Sequence, residues 1–249
     1  AGAGGIYVFQ RIGTGWSLIG SVVVPGAVDA SRSGASDVSA VASVGKTSLG
    51  DIEISPDGRS LFVVNIGPRR IERFDLMGGA LPAHQSSIAI GLDRISTDPA
   101  VRADLWPFAL EFYPFPARTT TNQQVLVVGV TDSAERGLSR APYTDTAGNF
   151  TVSPQAHVLV YNLTTGGWWK DLTQDLGNSP ALANRHQISQ FGTFIEGVSP
   201  GTWKDFPVKG WNPWRSSLGT MAVTGSRQVY YPQPLLTDIE FLNFQPAPG

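Results

Sequence analysis

At 249 residues the chain has room for one large domain with a sizeable core. Apolar side chains make up 41% of it and charged ones 15%, which excludes a disordered chain, and eighteen basic against twenty acidic residues leave no basic field for nucleic acid. The absence of cysteine removes disulfides, thiolate metal sites and cysteine nucleophiles, and no apolar run approaches the roughly 18 residues a membrane helix needs, so membrane insertion is not expected.

The chain opens without Met on Ala1-Gly2-Ala3-Gly4-Gly5, which lacks the basic start of a signal peptide. It then runs straight into Ile6-Tyr7-Val8-Phe9, as a processed or partial chain would. Gly5–Gly20 reads as a strand, a Gly-Thr-Gly turn and a second strand beginning at Trp16. Pro25–Thr47, rich in Ala, Ser, Gly and Val, reads as a long excursion. Within it, Ala40 followed by Gly45-Lys46-Thr47 falls one residue short of a phosphate-binding loop, and a strand rather than a helix follows, so the required context is missing. Asp29, Ser31, Ser33, Gly34 and Asp37 imitate calcium-loop spacing. Ala40 stands where the closing carboxylate should be, which excludes an EF-hand.

The clearest element is Lys46–Asn65. Leu49–Ile54 alternates apolar and polar residues, Ser55-Pro56-Asp57-Gly58 carries the chemistry of a tight turn, and Leu61–Val64 is a more deeply buried strand. Asp51-Ile52-Glu53-Ile54 returns as Ala109-Leu110-Glu111-Phe112 and again as Asp238-Ile239-Glu240-Phe241. The first hairpin returns as Ala156–Thr173, with the same spacing from aromatic to Trp in Phe9–Trp16 and Tyr161–Trp168, and Arg70–Leu76 is a further copy of its first strand. Recurrence of a strand unit at long, regular intervals marks a propeller or solenoid. The expected fold is therefore all-β: a β-propeller or partial propeller of about four or more blades, in one domain over residues 1–249, with long inserted loops. Thr131–Pro154 and Gly177–Pro234 carry much of that loop excess. Asp93–Asp104 could hold one short helical turn. Ile52, Ile54, Leu61, Val63, Leu110, Phe112, Val125, Val127, Val158, Val160, Ile239 and Phe241 are expected to face between blades.

Candidate chemistry is sparse. Asp51 and Asp238 open inner strands, where a central channel would bring their carboxylates together around a cation; calcium is the candidate ion. The plainer reading is that each carboxylate accepts hydrogen bonds from backbone amides. His84, His157 and His186 are isolated, two in loop-like surroundings and His157 at a strand opening, and no metal-binding or hydrolase motif joins them. Trp203, Trp211 and Trp214 crowd a Gly- and Pro-rich stretch and could present an aromatic surface to a glycan or a protein partner, against a reading as packing between blades. Asn149 and Asn162 head glycosylation-type triplets.

Taken in order, SVGKTSLGDIEISPDGRSLFVVN, LWPFALEF with QQVLVVGVTDS, WNPW and YYPQPLLTDIEF resemble the propeller-like region of large secreted bacterial surface proteins of the SdrD-B and Ig-like-repeat type. The resemblance covers most of Ala40–Phe241. In that family a further Asp-Gly hairpin normally follows the last of these segments; here Asn243–Gly249 follows instead. The resemblance implies an extracellular or cell-surface location and transfers no catalytic residue. The favoured expectation is a non-enzymatic structural or adhesive module that assembles with other chains or further domains of the same protein. The alternatives are a calcium-dependent hydrolase of lactonase, esterase or phytase type, using Asp51 and Asp238, and a glycan-binding module. Terminal strands that lack blade partners add the expectation of one piece of a larger protein or assembly.

Overall fold

The computed structural model describes residues 4–27, 46–113, 124–135, 155–175, 214 and 236–239. These residues are all-β, in three antiparallel sheets, with a single turn of 3-10 helix at Leu92–Arg94 and a single turn of α-helix, α1 (Pro99–Arg102). The first sheet is a hairpin, β1 (Gly5–Ile12) and β2 (Gly15–Val23). The second holds β3 (Leu49–Ile54), β4 (Ser60–Asn65), β5 (Arg70–Asp75) and β6 (Ala83–Ala89) in sequential order. The third meanders likewise through β7 (Leu105–Phe112), β8 (Val125–Asp132), β9 (Gln155–Asn162) and β10 (Gly167–Asp175).

Turn chemistry sets the registers. Between β3 and β4, Gly58 N–H donates to Ser55 C=O at 2.8 Å, and Gly58 sits at φ 71°, which only glycine adopts without strain. Asp57 Oδ1 accepts from Ser55 Oγ and from Arg59 N–H, and these bonds hold its carboxyl below the usual range. The two Trp-bearing hairpins turn out not to be equivalent. Ile12 pairs with Gly15 across a two-residue loop, which sets Trp16 opposite Arg11, whereas Asn162 pairs with Gly167 across a longer loop, which sets Trp168 opposite Tyr161. Asn162 closes that longer loop: it is 7% exposed and its Oδ1 accepts from Thr164 N–H and Thr165 N–H. Its Oδ1 is thus committed to the turn.

Two cores separate on the faces of the second sheet. Phe62, Val64 and Ile71 face the third sheet and join Phe108, Leu110, Phe112, Leu126, Val128 and Leu159 in the main core, where Phe62 meets Phe112 edge to face at 5.5 Å. Leu61, Val63 and Phe74 face the hairpin and join Val24, with Ile6 and Val22 alongside. Of the expected core, Leu61, Val63, Leu110, Phe112, Val127 and Val160 are buried, Val125, Val158 and Ile239 are half-buried, and Phe241 lies outside the described residues.

Ile52 and Ile54 correct the expectation, being 45% and 56% exposed. Their register partners Val63 and Leu61 are buried on the same face, so the alternation is sound. What fails is the cover, because the hairpin seals the middle of that face and leaves β3 open. Tyr7, Phe9, Trp16, Leu18 and Val23 are also exposed.

Candidate functional site

Chemistry-bearing side chains gather where β3 and β7, edge strands of the second and third sheets, meet. Gly50 makes the approach possible: a Cβ there would lie 2.6 Å from the Phe108 carbonyl oxygen. Beside this contact lies a cleft of about 430 Å³ lined by Thr47, Leu49, Gly50, Asp51, Ile66, Phe108 and Thr237. Lys46, at the edge of the same junction, pairs with Glu135 at 2.6 Å, so the lysine of the phosphate-loop-like stretch is spent on joining the two sheets.

Asp51 spans the junction. Its Oδ2 accepts from Leu110 N–H of the third sheet at 3.0 Å, and its Oδ1 accepts from Ile52 N–H at 2.8 Å. Glu53 lies nearby, and its carboxyl is pushed up to about 7 by partial burial first, then by the negative charges of Glu111 and Asp51, with Asp238 contributing least. All three copies of the repeated segment thus converge on one place, through Asp51 and Glu53, Glu111, and Asp238. Residues 236–239 reach it along the far side of the third sheet, where Leu236 N–H donates to Thr131 Oγ1 at 3.0 Å and the Leu236 side chain closes over Gly129. Glu53 and Glu111 are the members that motif reading missed. Their sign in the sequence was the carboxylate repeated at the third position of every copy.

The structure brings Asp51 and Asp238 into this one electrostatic neighbourhood. Among the described residues, no group of three or more His, Cys, Asp and Glu side chains is arranged to hold a metal ion. Residues 29–37, Trp203, Trp211, His186 and Asn149 lie outside the described residues.

Trp214 occupies an interior position. It is 3% exposed, stacks on Trp106 at 6.4 Å with rings 5° apart, meets Phe108 at 6.0 Å and donates its backbone N–H to Ser133 C=O. The Arg69 guanidinium covers Trp106 at 4.2 Å from the ring centre. Trp214 therefore packs a core and has no open face for a glycan; the exposed tryptophans among the described residues are Trp16 and Trp169, at 71% and 42%.

The histidines also differ from expectation. His84 lies in β6, not in a loop, and its Nε2 is 2.9 Å from the buried Glu72 carboxylate, which also accepts from Ser87 Oγ. The carboxylate joins both groups directly, so no hydroxyl is aimed at an imidazole as a nucleophile requires. His157 is buried within β9.

No family model and no curated protein matches the chain. Among solved structures it is similar to a protein described as a 6-phosphogluconolactonase from Bacteroides uniformis, at 16% identity and a TM-score of 0.31, over 71% of this chain and 53% of that one. The chain thus spans about half the length of that structure.

Proposed function

We propose that this chain is a β-propeller, or an arc of one with four or more blades, that serves as a non-enzymatic structural or adhesive module on the bacterial cell surface. It works by assembling with other protein chains or with further domains. The propeller reading is supported by two four-stranded meanders packed face to face, with three repeated segments converging where their edge strands β3 and β7 meet. The cell-surface reading rests on the family resemblance of Ala40–Phe241.

One observation carries the non-enzymatic reading. Asp51, the carboxylate best placed to act on something in the cleft, gives one oxygen to each of two backbone amides, and one of those amides belongs to the neighbouring sheet. It behaves as a clamp between sheets, while the exposed apolar side chains of β1, β2 and β3 offer surface that association would cover.

The calcium-dependent hydrolase is the second reading. It is favoured by the raised pKa of Glu53 beside three further carboxylates, since strongly perturbed groups next to a cleft are candidate acid–base residues. Calcium titration followed by assays on a lactone, a carboxylic ester and phytate separates the two. The module reading expects no turnover and a lower melting temperature for Asp51→Ala. Calcium-dependent turnover that disappears in a folded Asp51→Ala or Asp238→Ala variant overturns it.

A further inference from the structure

The base of one face of the β1–β2 hairpin is already in use. Ile6 and Val22 pack with Val24 against Leu61, Val63 and Phe74 of the second sheet, and Gly20 on the same side lies against the Leu81 side chain. Strand alternation sends Tyr7, Phe9 and Arg11 to the opposite face. The register sets Leu18 opposite Phe9, Trp16 opposite Arg11, Ser21 opposite Tyr7 and Val23 opposite Gly5, so these belong to that outer face too. Phe9 is 54% exposed, Trp16 71%, Leu18 53% and Val23 71%.

From the usual sizes of such side chains, these four expose roughly 500 Å² of mostly apolar surface, about the size of the largest patch a typical monomer carries. We infer that this outer hairpin face is a self-association surface, and that its occupant is the same face of a second copy of this chain, related by a two-fold axis. Two observations support that occupant, and one constrains its geometry. Two such faces together would bury roughly 1,000 Å² before any rim is added, the threshold a specific interface should clear. Arg11 is the one charged side chain on the face and is exposed, so a two-fold contact must set its two copies at the rim, where water and salt screen them. Finally, the contact continues an arrangement the molecule already uses: the inner face of the same hairpin packs on a sheet, and that sheet packs on another. The inference rests on the assembly reading above and names the partner.

Sedimentation velocity and light scattering on the intact chain test it. The expected species at micromolar concentration is a dimer of twice the 26.6 kDa chain mass. Trp16→Arg combined with Leu18→Glu should weaken self-association at least hundredfold without changing the circular dichroism spectrum, and Trp16→Phe should preserve the dimer. Because the chain has no cysteine, Leu18→Cys supplies a second readout that does not depend on a charge: near a two-fold axis it should oxidise to a covalent dimer. A wild-type chain that is monomeric at 100 μM, or a dimer indifferent to the double substitution with no Leu18→Cys cross-link, overturns the inference. Such a failure, with no hydrolytic turnover, leaves a surface module whose partner is a different chain; turnover in the calcium assays removes the module reading whatever the mass.

Discussion

Glu53 makes the central carboxylates measurable through pH. The folded protein holds its proton up to about pH 7, whereas the unfolded chain releases it near the ordinary glutamate value of 4.5. Between those values the folded state binds more protons, so this group's contribution to stability falls as pH rises across the window and stays lost above it. Glu53→Gln should therefore stabilise the protein at pH 8, by roughly 1 kcal/mol once solvent screening of a partly exposed group is allowed for, and change little at pH 4. Denaturant melts at the two pH values check this; equal effects at both would sink it. Substituting Glu72 should destabilise the protein. It is 1% exposed and accepts from Ser87 Oγ and Asn65 Nδ2. Glu72→Ala removes the acceptor shared by Ser87 Oγ and Asn65 Nδ2, although Asn65 Nδ2 keeps the Pro25 carbonyl at 2.9 Å, and it empties a buried site; the loss should be about 1–3 kcal/mol. A loss below 0.5 kcal/mol in urea melts would mean that the network contributes nothing. Neither role was readable beforehand: Glu53 and Glu72 occupy polar positions of strands in which the solvent-facing residue is ordinarily the polar one. Glu53 shares the face of Phe62, toward the third sheet, and Glu72 that of Val63, toward the hairpin, and alternation within a strand announces neither neighbour.

At the scale of elements, the sequence was most legible where local chemistry decides the outcome. Ser55-Pro56-Asp57-Gly58 announced a hairpin, and Gly58 at φ 71° closes it. Leu61–Val64 announced a more deeply buried strand, and β4 is buried throughout. It was least legible where one sheet meets another. The burial of Ile52 and Ile54 was inferred from alternation alone, and alternation says which residues share a face without saying whether anything covers it. Trp214 looked like surface because Gly and Pro surround it, yet Trp106 and Phe108 enclose it through contacts distant in sequence. The inter-sheet contact also gives the sharpest test of the fold. A methyl group at Gly50 would meet the Phe108 carbonyl, which belongs to backbone and cannot swing aside. Gly50→Ala should therefore cost more than Gly58→Ala, whose added Cβ meets nothing and whose penalty is backbone strain of about 1 kcal/mol. Thermal melts that rank the two in reverse would mean that β3 and β7 are not in contact.

For the whole molecule, the two cores imply two levels of stability. The main core takes residues from both four-stranded sheets, and Asp51 with the Lys46–Glu135 pair ties the same sheets by polar contacts, so these sheets should unfold as one unit. The β1–β2 hairpin shares only the smaller core, and its residues from Phe9 to Ile19 are exposed on both faces. A hairpin so lightly covered should open without unfolding the sheets, since a two-stranded unit has little stability of its own. Native-state hydrogen exchange of the Trp16→Arg, Leu18→Glu double variant, where self-association is removed, should show β4 and β8 amides exchanging only through global unfolding and hairpin amides through a smaller opening. In the wild-type chain the hairpin amides should slow as protein concentration rises, because a partner that binds only the closed hairpin shifts its opening equilibrium by mass action. Hairpin amides that exchange with β4 and β8 in the double variant would show one cooperative unit instead of two. Concentration-independent hairpin exchange in the wild type would remove the hairpin from any self-association the chain undergoes.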